Sequence, residues 1–134
     1  MNPIVTISGG GIIGNYISSR LNKNNIESIV IEKSTEEAEN KNYIRTLTLN
    51  SFSKKLIDDL GIQIPLAKIK KINVFDGEGT GKINFSSSEV GEDNLSYVAF
   101  FDELQHELKK KAYQRIIHGA VSYTHLTLPT KLSV

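Results

Sequence analysis

Cysteine is absent from this 134-residue chain, which excludes disulfides and thiolate metal sites and fits a reducing cytosol. No apolar run approaches the roughly 20 residues that a membrane span needs. The N-terminus enters an apolar strand directly, without the basic region and hydrophobic stretch of a signal peptide. Strong charge of either sign is also missing: 16 Lys and Arg against 15 Asp and Glu leave a net +1 and a pI near 7.9, so no global electrostatic case exists for nucleic acid. His106 and His118 have no further ligand at a metal-binding spacing, so no metal is expected. What is present is a 39% apolar fraction, enough for the core of one domain, in a chain expected to be soluble and cytoplasmic.

The most informative stretch runs from Met1 to Lys33. Ile4, Val5 and Ile7 form an apolar, β-branched strand of the kind buried on both faces of a parallel sheet. The turn Gly9-Gly10-Gly11-Ile12-Ile13-Gly14 follows, then a helix, then Ser28-Ile29-Val30-Ile31 ending in Glu32 and Lys33. Gly9 permits a tight turn, Gly11 leaves room for phosphate oxygens against bare backbone, and Gly14 lets the helix lie close on the strand. The unpaired N–H groups and positive dipole end of that helix suit a pyrophosphate. A carboxylate at the tip of the second strand suits a ribose hydroxyl. A bare glycine pattern is weak, but strand, helix and acid all stand where a dinucleotide cradle requires them. The cofactor-binding candidates here are Gly9, Gly11, Ile13, Gly14, Glu32 and Lys33.

The helix is expected over Ile12 to about Asn24, with Ile13, Ile17 and Leu21 as its buried stripe. Glu36 to Asn42 reads as a polar, solvated loop. Asn50 or Ser51 should cap a helix running to Leu60, with Phe52, Leu56 and Leu60 on one face and Gly61 as its left-handed terminus. Ile69–Asp76 and Lys82–Phe85 flank a glycine-rich turn and predict a hairpin. Tyr97-Val98-Ala99 reads as a short strand. Asp102 to about Arg115 reads as a helix with acids first and Lys109, Lys110 and Lys111 late, buried through Leu104 and Leu108. That lysine run is read as a solvated helix end.

The C-terminus has a different composition. Up to about Gly119 the chain is rich in Ile, Lys and Asn, whereas Val121-Ser122-Tyr123-Thr124-His125-Leu126-Thr127-Leu128-Pro129-Thr130 contains none of them. This stretch resembles the conceptual translation of a transposase-type sequencing adapter, and Lys131 to Val134 fit its index and final codons. Residues 121–134 are therefore expected to be non-native, and residues 1–120 to be an N-terminal piece of a longer protein.

Three separated stretches of those residues 1–120 resemble one family, the FAD-dependent aromatic hydroxylases of ubiquinone biosynthesis within the p-hydroxybenzoate hydroxylase group. They are the fingerprint from Ile4 to Lys33, the segment Arg45-Thr46-Leu47-Thr48-Leu49-Asn50-Ser51-Phe52-Ser53 through Leu60-Gly61-Ile62, and Ile72–Asp76 with Tyr97-Val98 through Leu108. The resemblance implies an α/β fold, a truncated Rossmann-like FAD-binding domain of glutathione-reductase type with the start of a second, β-rich part. It implies FAD as cofactor, NAD(P)H as reductant, and hydroxylation of a polyprenylated phenol. It also implies peripheral contact with the inner membrane and a ubiquinone-biosynthesis complex as partner. Arg45 would lie over the cofactor near its pyrophosphate, where a rigid fork of donors neutralises phosphate; the chain has only three arginines. The pattern departs at Phe101, where the family commonly has a polar residue reaching toward the flavin. Phe101 cannot make that hydrogen bond, and it is expected to staple the start of the third helix.

The resemblance assigns no catalytic residue within this chain. Two alternatives stand beside it. An NAD(P)-binding Rossmann oxidoreductase would show a βαβ repeat after Glu32, which the polar loop and the Arg45 segment argue against. An incomplete nucleotide-binding module without activity would expose a sheet face and edge.

Overall fold

The computed structural model describes residues 4–34, 44–112 and 116–119. The polar stretch Glu36 to Asn42 and the adapter-like residues 121–134 lie outside them. The chain forms two compact units, one from Met1–Lys41 with Ala112–Val134, the other from Asn42–Lys111.

In the first unit, β1 (Val5–Ser8), α1 (Ile12–Lys23) and β2 (Ser28–Glu32) make a β-α-β element, and the chain returns to it late as β8 (Ile116–His118). The sheet is parallel with order β1-β2-β8; Ile7 pairs with Val30, and Val30 with Ile116. Helix α1 spans the expected residues but turns a different face inward. Gly14, Asn15, Ser18 and Ser19 are buried, while Ile13 is 71% and Ile17 41% exposed, so the expected Ile13-Ile17-Leu21 stripe is corrected. The physical reason is close approach. A Cβ on Gly14 would run into the Gly9 carbonyl oxygen and touch Ile7, and only small side chains fit beneath a helix held that near. The serine hydroxyls find partners in place: those of Ser18 and Ser28 bond each other at 2.8 Å, and Ser19 Oγ donates to the Asn15 carbonyl at 2.6 Å.

Strand β1 also differs from expectation. Of Ile4, Val5 and Ile7, only Ile7 is buried, because among the described residues β1 is hydrogen-bonded to β2 alone and forms an edge.

The second unit comprises β3 (Thr46–Leu49), α2 (Ser51–Asp58), β4 (Ala67–Ile69), β5 (Lys71–Phe75), β6 (Lys82–Ser86), β7 (Ser96–Phe100) and α3 (Phe101–Lys111). Strands β3, β7 and β4 form an antiparallel sheet with β7 central, and β5-β6 is a separate hairpin. The segment expected as one strand, Ile69–Asp76, is thus divided: β4 pairs with β7 and β5 with β6. Asn50 caps α2 as expected, accepting from Ser53 N at 2.7 Å. Gly61 is left-handed at φ +73° and donates to the Asp58 carbonyl. The buried face of α2 carries Ile57 rather than Phe52, which is 67% exposed. Leu104 and Leu108 of α3 are fully buried, as their spacing predicts, and share the unit's core with Leu49, Leu60, Ile62 and Ala99. Helix α3 ends at Lys111, short of Arg115, which lies outside the described residues.

Candidate dinucleotide-binding site

The link from β1 to α1 is built by backbone requirements. Gly9 N donates to the Ile31 carbonyl at 2.8 Å, and Gly9 then turns at φ +99°, a conformation L side chains rarely adopt. Gly11 is extended and precedes α1 with nothing within 4 Å of the place its Cβ would occupy. No side chain caps α1, and its first turn contains no acid. The first N–H groups of a helix have no intrahelical acceptor, so the positive end of α1 is left open to an anion beside bare backbone.

Glu32 comes to the same turn from the end of β2. Its Oε2 accepts from Gly10 N at 2.6 Å and its Oε1 from Ser34 N at 2.9 Å. The Ser34 N–H, followed by those of Gly10 and Lys33, holds the carboxyl below its ordinary value against the opposing effect of partial burial. The group is therefore an anion at neutral pH, positioned at the rim of the turn.

Two contributors were not read from the sequence. Gly10 supplies the backbone donor to Glu32, and a Cβ there would come within 2.8 Å of Glu32 Oε2. Asn15, fully buried, donates from Nδ2 to the Gly10 carbonyl at 2.5 Å and braces the turn from behind. The available signal was a polar residue immediately after Gly14, on a face that close approach reserves for burial.

The structure brings Gly9, Gly11, Gly14 and Glu32 together. Ile13 stands exposed in the first turn of α1, and Lys33 is exposed just beyond β2. Arg45 belongs to the second unit, one residue before β3. Its guanidinium lies over the Phe101 ring, 3.9 Å from the centroid, and Phe101 N donates to the Arg45 carbonyl at 2.9 Å. Phe101, expected to staple the start of the third helix, is the first residue of α3, and its ring stacks with Arg45. Among the described residues there is no group of three or more His, Asp or Glu able to hold a metal, and no helix is long and apolar enough to cross a membrane.

No protein-family model and no curated protein matches the chain. Solved structures do. HpxO of Klebsiella pneumoniae, complexed with FAD and uric acid, superposes at TM-score 0.60 with 17% identity over 87% of this chain and 30% of its own. p-Nitrophenol 4-monooxygenase PnpA of Pseudomonas putida gives 0.67 and 12% over 89% of this chain and 32% of its own. 2,6-Dihydroxypyridine-3-hydroxylase of Arthrobacter nicotinovorans gives 0.62 and 12%, over 89% and 29%. The chain thus spans about 30% of the length of the structures it matches, and its fold is that of the N-terminal part of FAD-binding hydroxylase domains.

Proposed function

We propose that this chain is the part of a flavin-dependent monooxygenase that binds the ADP half of FAD. The carrying observation is the convergence at one turn of an uncapped helix end, an open Gly11 and an ionised Glu32. The residues present fit the group. Gly9 and Gly14 bring α1 against β1, Gly11 leaves space for a pyrophosphate, the α1 terminus binds it, and Glu32 accepts from a ribose hydroxyl. The choice of FAD over NAD(P) is supported by topology, since the chain goes from β2 into an antiparallel sheet and reaches β8 only afterwards, where a βαβ repeat would have returned at once. When bound, the flavin supplies the redox chemistry; this chain orients its adenosine end, no catalytic role is assigned to any of its residues, and the 134 residues alone are expected to bind without turnover.

The narrower reading is that the whole enzyme uses NAD(P)H to hydroxylate a polyprenylated phenol in ubiquinone biosynthesis, in peripheral contact with the inner membrane and within a biosynthetic complex. It rests on the similarity of the Arg45 to Ile62 segment. Titration calorimetry on the purified chain tests the cofactor: FAD and ADP should bind and NAD+ should bind more weakly. Failure of both FAD and ADP, or a preference for NAD+, would reject the flavin reading.

A further inference from the structure

Resting on the dinucleotide reading of the β1-α1 turn, we infer that Asn15 is a positioning residue for the pyrophosphate: it fixes the peptide between Gly10 and Gly11 so that the Gly11 N–H is held on the open side. Three glycines in succession, Gly9 to Gly11, give this turn a great deal of backbone freedom to lose. Its peptide groups are pinned from two directions. Glu32 Oε2 accepts from Gly10 N at 2.6 Å, which fixes the peptide between Gly9 and Gly10. Asn15 Nδ2 donates to the Gly10 carbonyl at 2.5 Å, which fixes the next one.

That second bond decides where a donor points. The carbonyl and the N–H of a trans peptide lie on opposite sides of the C–N bond, so with the Gly10 carbonyl drawn toward a fully buried side chain, the Gly11 N–H is turned away from it. Gly11 is exposed, and among the described residues no acceptor meets its N–H. A backbone donor is thereby left beside the uncapped end of α1. Asn15 can hold it because its own backbone is fixed: Asn15 N donates to the Gly11 carbonyl at 3.0 Å, and the Asn15 carbonyl accepts from Ser19 Oγ at 2.6 Å.

Stability alone does not account for an amide at this place. Asn15 Oδ1 is buried and among the described residues has no hydrogen-bond partner, and an unpaired buried acceptor is destabilising. Leucine has nearly the same branched shape without that acceptor, but it lacks the donor to the Gly10 carbonyl. Without the donor, a peptide flanked by glycine on both sides is free to rotate, and the Gly11 N–H has to be ordered again each time an anion binds.

The test uses the 134-residue chain, the variants N15L and N15A, and two ligands, ADP and adenosine. Both variants should bind ADP about 5- to 30-fold more weakly by calorimetry, the equivalent of ordering one backbone residue. Adenosine, which lacks the pyrophosphate, should stay within about twofold of its wild-type affinity in an NMR titration. Melting temperatures identify the folded variants. Wild-type ADP affinity in a folded variant, or an equal loss for ADP and adenosine, would overturn the positioning role and leave the nucleotide reading intact. Failure of both variants to fold would overturn it too, since the amide would then hold the fold and not the phosphate donor. Failure of the wild-type chain to bind either ADP or FAD would overturn both readings.

Discussion

Gly10 and Gly14 are four residues apart in the same turn, yet alanine should affect them very differently. At Gly14 the added methyl group meets the Gly9 carbonyl oxygen and the Ile7 side chain, and backbone cannot step aside without moving α1 off the sheet. At Gly10 it meets the Glu32 side chain: Oε2 at 2.8 Å, which can rotate away and give up one hydrogen bond, and Cβ at 3.2 Å, which must give by a few tenths of an ångström. Gly14→Ala should therefore cost about 3 kcal/mol, the upper range for overpacking, and Gly10→Ala about 1 kcal/mol. Urea unfolding of the two variants measures this, and equal losses would mean that the helix is free to shift. Glu32 yields a pH prediction. Its folded-state pKa is depressed by the Ser34 and Gly10 N–H groups, so its stabilisation is fully present above the ordinary carboxylate pKa and is lost as pH falls through the lower folded value. The stability gap between wild type and Glu32→Gln should be constant near neutrality and close below about pH 4. A gap unchanged down to pH 3 would show that the charge of Glu32 contributes nothing.

Helix α1 shows which parts of the fold were legible in the sequence and which were not. Gly9 and Gly14 could be read because each answers a backbone demand that other residues fail. The inward face could not, because two stripes share the helical period: Ile13-Ile17-Leu21 and the small pair Gly14-Ser18 with Asn15-Ser19. Hydrophobicity selects the first, whereas the short helix-to-strand distance imposed at Gly14 selects the second. The same limit applies to Arg45 and Phe101, whose contact depends on the β3-β7 register and not on any local pattern. In α3, where no close approach interferes, the spacing of Leu104 and Leu108 identified the core correctly. A pair of substitutions separates the two stripes of α1. Ser18→Leu should destabilise by about 2 kcal/mol through overpacking, and Ile17→Ala should change stability by no more than about 0.5 kcal/mol, as at a surface position. The reverse ranking in thermal unfolding would restore the isoleucine stripe as the buried face.

At the scale of the molecule, the first unit is a three-stranded parallel sheet whose β1 edge is unpaired among the described residues. In the second unit, Ile72, Val74, Ile83 and Phe85 are exposed on one face of the β5-β6 hairpin. Open edges and apolar faces of this kind favour association between chains, so the isolated chain should be marginally stable and responsive to ligand. A ligand that binds only the folded state stabilises by mass action, about 2.7 kcal/mol at one hundred times its dissociation constant. If the Gly9–Gly14 turn is where FAD binds, that energy enters through the first unit. Hydrogen exchange should then slow most for the amides of β1, β2 and the first turn of α1, up to about 100-fold for those that exchange only through unfolding of that unit. Slowing confined to residues 44–111 would move the binding site away from the turn. Greater slowing by NAD+ than by FAD, at equal multiples of their dissociation constants, would mean that the two ligands do not share one mode of binding and that the topological argument for a flavin is wrong.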